Sequence, residues 1–134
     1  MSDLAGFLAA RLSEDEAIAR EAAGLTECWV AEEPAIGVVL VDGEPLIEGH
    51  IVGLTAHIAL HDPSRVLREV EAGRKRLALM AEAHTEMDRL LADDHAGRVD
   101  QAMAVGRARG ATVAVKYDAE VYSDHPDWNP GWRP

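Results

Sequence analysis

The chain has 134 residues, and 24 acidic side chains against 13 basic ones leave a formal charge of −11 with the histidines neutral. That length suits one domain with a single modest core, and 48% hydrophobic with 28% charged residues excludes a disordered chain. No apolar run approaches the ~20 residues of a bilayer span, no basic, greasy leader opens the sequence, and a single cysteine, Cys28, suits a reducing cytoplasm.

Leu4, Phe7, Leu8, Leu12, Ile18, Ala19, Ala22 and Leu25 recur at three- and four-residue steps, which predicts an amphipathic helix over 3–23 stopped by Gly24. Pro34 interrupts any continuation. The β-branched run Ile36–Val41 leads into Asp42-Gly43, a favoured hairpin turn, and Pro45 confines the returning strand to an edge. A β-unit over about 27–47 therefore follows, too small to stand without a helix beneath it. A second helix is expected over 49–60. Asp62 and Pro63 then suit the N-cap and first position of a third helix, which finds no stop before Asp93-Asp94 and so runs over about 63–91.

That third helix carries Val66, Val70, Gly73, Leu77, Met80, His84, Met87 and Leu91 at alternating four- and three-residue steps. A helix near 30 residues is about 45 Å long, beyond the reach of a compact chain of this size. Its stripe must be covered by a second chain or by the C-terminal segment folded back, and a homodimer is the expected partner. A weaker helix over 95–109 and a period-two strand over 112–117 complete the reading. The tail from Tyr122 holds two of the three tryptophans and three prolines, so it is expected as an extended clasp rather than a helix. The fold class expected is α+β and mostly helical, a single domain with a helical body and hairpin over 1–110 and a strand and clasp over 111–134.

The chemistry-bearing residues form no complete constellation. His57 and His61 stand one helical turn apart, a spacing that chelates zinc or another divalent transition metal, with Asp62, His84, Asp124 or His125 as further ligands. The competing reading is structural, since histidines at a helix C-terminus interact favourably with its dipole. Arg65 and Arg68 place positive charge in the first turns of a helix, where it is unfavourable. They call for an acidic neighbour, with Glu14, Asp15, Glu16 or Glu21 nearest to hand, or for an external phosphate. Glu82 and Glu86 share one face late in the third helix. A solvated surface is the simpler account of them than a divalent-metal site. There is no phosphate loop, nucleophile elbow or paired-cysteine motif, so no catalytic residue and no cofactor are assigned.

The acidity is lopsided: residues 1–50 carry a net −9, residues 51–134 a net −2, and residues 65–76 a local +3. Direct nucleic-acid binding is disfavoured by phosphate repulsion. A solubilising surface is the plain reading, and an acidic face that mimics nucleic acid towards a host enzyme is the sharper one.

Three blocks carry a resemblance. Phe7–Glu16 leading to Trp29, His57–Ala72 (HIALHDPSRVLREVEA) and Tyr122–Pro134 (YSDHPDWNPGWRP) resemble a family of small acidic actinobacterial and actinophage proteins of unknown function. The resemblance implies a cytoplasmic protein carried by phages or prophages, and it brings no activity. It directs attention to Arg65, Arg68, Trp128 and Trp132 as interaction residues. It also suggests a tail returning over the third helix, with Asp124 and His125 near His61 or Arg65. The expected function is a small interaction or regulatory protein with a host protein as partner. The alternatives are a metal protein built on the His57–His61 pair and a nucleic-acid mimic.

Overall fold

The computed structural model describes the backbone of residues 2–23, 29–32, 38–41, 44–48 and 54–134, and the side chains of residues 4–23 and 57–134. The helices among them are α1 (Ser2–Ala23), α2 (Leu54–Leu60), α3 (Pro63–Ala92) and α4 (Arg98–Glu120), with one 3-10 turn at Pro130–Trp132. The expected helices over 3–23 and 63–91 match α1 and α3. Residues 49–53, expected to open the second helix, lie outside the described residues, as do Cys28 and the Asp42-Gly43 turn. The chain divides into two compact units, Met1–Leu12 with Ala72–Pro134, and Ser13–Glu71.

The α+β expectation is corrected to a predominantly helical class, in which the strands among the described residues are confined to the short sheet of the second unit. Residues 112–117 form no strand: they lie inside α4, which runs on to Glu120. Val113, Val115 and Tyr117 alternate with Ala114 and Lys116 in a way that mimics period two. What decides is the buried set Ala104, Ala108, Val115 and Ala119, spaced four, seven and four residues apart along one helical face. Gly110 stops nothing, because the helix continues through it. The described core (Leu4, Phe7, Leu8, Leu12, Ala19, Val70, Met80 and those four residues of α4) comes wholly from α1, α3 and α4.

In the first unit α4 returns antiparallel along α3. Arg76 pairs with Asp118, His84 Nε2 donates to Thr112 Oγ1 at 2.8 Å, and Gln101 Nε2 donates to the Leu90 carbonyl at 3.0 Å. As one residue number rises the other falls, the signature of an αα-hairpin. Its connection is held by Asp93, whose carboxylate accepts from the His95 N–H at 2.9 Å and whose carbonyl accepts from Ala96 at 3.0 Å. Past Gly73 the α3 stripe thus runs beside the chain's own C-terminal helix: Met80 is buried, Leu77, His84 and Met87 are partly covered, and Leu91 stays 52% exposed.

At Gly73 the Leu12 side chain of α1 lies close against α3: a Cβ there would lie 2.9 Å from Leu12 Cδ2 and 3.0 Å from Cδ1. Since those are the ends of a flexible side chain, Gly73→Ala should be nearly neutral, the gain in helix propensity offsetting the shift of Leu12. Gly73→Leu overpacks the site, at a cost of about 1–3 kcal/mol, readable as a lowered denaturation midpoint.

In the second unit three strands, β1 (Trp29–Glu32), β2 (Val38–Val41) and β3 (Glu44–Glu48), run antiparallel in the order β1-β2-β3. The register sets Trp29 against Val41 and Val38 against Glu48, with a bulge where Leu40 meets Pro45. Proline lacks the donor a ladder needs, and β3 is an edge strand, where that loss is tolerated. Helix α2 packs on β1 and β2. The start of α3 shows why Asp62-Pro63 begins a helix: Asp62 Oδ1 accepts from the Arg65 N–H at 2.6 Å, an N-cap bond to the third helical residue.

Candidate interaction surface

The C-terminal residues fold back as a run of turns and not as an extended strand. Successive backbone bonds link Tyr122 to Ala119, His125 to Tyr122, Trp128 to His125 and Trp132 to Asn129. Pro126 and Pro130 prevent these turns from merging into a helix. The Asn129 side chain accepts from the Gly131 N–H at 2.9 Å and sets the final 3-10 turn.

That path lays the aromatic side chains around Phe7 of α1. The Phe7 ring meets Trp132 at 4.9 Å, His125 at 5.7 Å, Trp128 at 5.8 Å and Tyr122 at 6.5 Å between centroids. Three of the four contacts are edge-to-face, the arrangement the ring quadrupole favours. One turn further along α1, buried Arg11 sets its guanidinium 5.4 Å from the Phe7 centroid, and its Nη1 donates to the His125 ring, with Nδ1 at 2.8 Å. Trp128 and Trp132, singled out as interaction residues, are therefore engaged inside this cluster. Sequence reasoning missed Phe7 and Arg11 as their seat. The available signal was an arginine on the apolar side of α1, between Leu8 and Leu12.

The paired histidines lie in the second unit, ring beside ring at 4.5 Å between centroids. Among the described residues no three His, Cys, Asp or Glu side chains come together as a metal site would require. His61 instead lines an apolar cleft of about 260 Å³ with Asp15, Ile18, Ala19, Ala22, Pro63 and Val66. His125 and Asp124 belong to the first unit, where His125 meets Arg11; His84, also in that unit, bonds to Thr112. Arg65 bonds Glu69 on its own helix at 2.7 Å and the Leu60 carbonyl at 3.2 Å, while Arg68 is exposed. Glu16, one of the acids proposed for the arginines, bonds Arg20.

At the far end of the α3–α4 hairpin, Glu86, Arg89, Asp100 and Arg107 line an open, mixed-charge cleft of about 320 Å³. Arg89 donates to both Glu86 oxygens, at 2.7 and 2.8 Å, and these bonds, helped by the charges of Arg89 and Arg107, hold the Glu86 carboxyl below its ordinary value. A folded-state value below the unfolded one gives a contribution present above the ordinary carboxylate range and lost as pH falls through the lowered value. Glu86→Gln should accordingly be slightly less stable than the parent at neutral pH and indistinguishable from it in strong acid. Urea titrations at both pH values check this, and a difference that survives acidification contradicts it.

The remaining feature is on α4. Opposite its buried face, Val99, Met103, Val113, Tyr117 and the following Val121 stand exposed, and Gly106 and Gly110 fall on the same side. This stripe was hidden from sequence reasoning by a helix end placed at 109. Continuing the four- and three-residue steps across Gly110 would have found it. No described helix is long and apolar enough to cross a membrane, so an apolar helix face here is no membrane span.

These features define a class before they define a relative: a helical protein with an α3–α4 hairpin, an internal aromatic clasp and an unshielded helix face. The chain belongs to the family described as "Family of unknown function (DUF6221)", whose model matches residues 1–134. No curated protein and no solved structure matches it.

Proposed function

We propose that this is a small acidic interaction protein, regulatory rather than catalytic, and that it engages its partner through the outward face of α4. The observation that carries the reading is the set of large apolar side chains on that face, from Val113 at 42% exposure to Val121 at 77%. Scattered exposed apolar residues need no explanation, but a contiguous stripe of them on one helix marks a contact surface. The tryptophans that would otherwise be the natural anchors are already consumed in the clasp around Phe7. The resemblance to actinophage proteins makes a host protein one partner this surface would serve.

A photo-crosslinking benzoylphenylalanine placed at Tyr117 tests the reading. Protein adducts are expected from Tyr117 in expressing cells, and none from the same group at Glu82, which is exposed on α3. Absence of adducts from Tyr117 overturns it.

A further inference from the structure

Resting on that reading of α4, we propose that the partner is a second copy of this chain, docked antiparallel so that two α4 helices cross at Gly106 and Gly110. Within α4 the positions on the stripe read the same in both directions about residue 108, Val121 lying past the helix end. Val99 mirrors Tyr117, Met103 mirrors Val113, and Gly106 mirrors Gly110. A two-fold axis through that point therefore sets side chains of substance against one another at both ends and glycine against glycine in the middle. Self-complementarity of this kind is what an isologous interface requires, and an unrelated partner gives no reason for it.

The glycines point the same way. Each lowers helix stability relative to alanine when placed mid-helix, and a Cβ added at either would meet nothing within 4 Å among the described residues. None of the described residues asks for glycine there. Close approach of a second helix does, as small residues let backbones meet.

The dimer that such a face supports is a modest one. The stripe is widened by an open groove of about 480 Å³ between α3 and α4, lined in part by His84, Met87, Val105 and Val113. A specific interface withdraws about 1,200 Å² or more from water in total, so the stripe and the groove of both copies must be covered together. In the antiparallel register Arg98 of each copy comes level with Asp118 of the other, with Glu120 two residues beyond, and the helix dipoles oppose. Arg107 and Arg109 flank the crossing in both copies, so like charges meet there, between two chains that each carry −11. Dissolved salt screens the net repulsion, so the dimer persists or tightens in molar salt, whereas a contact made by charge attraction weakens.

Sedimentation velocity on the full chain, from micromolar to millimolar, should show a concentration-dependent dimer that molar salt does not dissolve. Gly106→Leu should stay folded by circular dichroism, with an unchanged or raised Tm, and lose the dimer. In a Cys28→Ser background, mixing Met103→Cys chains with Val113→Cys chains should yield a disulfide-linked dimer that neither variant forms alone. A chain monomeric throughout, a Gly106→Leu variant that still dimerises, or cross-linking by each cysteine variant on its own overturns the proposal. A monomer whose Tyr117 adducts are all to other proteins overturns self-pairing and leaves the interaction reading standing. Loss of every adduct overturns both.

Discussion

Replacing Phe7 with alanine should lower the unfolding free energy by about 3–5 kcal/mol, the largest effect of any single substitution described here. The ring is only 8% exposed and is the one surface that four other aromatic rings share, from Tyr122 to Trp132. Its removal leaves a hole lined by Trp128 and Trp132 and takes away the face on which the Arg11 guanidinium rests. Chemical denaturation followed by tryptophan fluorescence reads both consequences at once, because the tail tryptophans should also become wetter in the folded baseline. A loss below about 1 kcal/mol, the size of an ordinary surface substitution, would mean that the clasp does not seat on α1.

Leu8→Ala is the second. Leu8 is 0% exposed, so the substitution removes a fully buried side chain from a core that has few large residues to spare, at a cost of about 2–5 kcal/mol. Leu79, at 60% exposure on α3, is the internal control. Its change to alanine should stay within about 0.5 kcal/mol. The two variants delete the same atoms, so the gap between their denaturation midpoints isolates burial from residue chemistry. Equal losses would place Leu8 at the surface.

Much of the helical framework was legible in the sequence. The apolar steps of α1 and the Asp62-Pro63 start of α3 state local preferences that the packed structure keeps, and the cap bond from Asp62 to Arg65 is formed as those residue types require. What could not be read locally was α4. Its inward face is made mostly of alanine, which gives little hydrophobic signal, while Thr112, Val113 and Val115 advertise a strand; burial of Ala104, Ala108 and Ala119 against neighbours outweighs that propensity. The tail was legible as a packing element from its aromatic content alone. Its seat was not, because Phe7 and Trp132 meet only through the reversal of α4 along α3, a property of the whole path. Arg65 shows the limit for charges. Its acid was sought on α1, and Glu69, one turn away on the same helix, satisfies it first.

The clasp also imposes an order of events during synthesis. His125, Trp128 and Trp132 are made more than a hundred residues after Phe7 and Arg11. Until then the leading helix holds a greasy ring and a desolvation-prone cation with nothing to cover them, and contacts of such wide sequence separation are among the last and slowest to close. The nascent polypeptide is accordingly most vulnerable at α1 until those aromatics arrive to seal it.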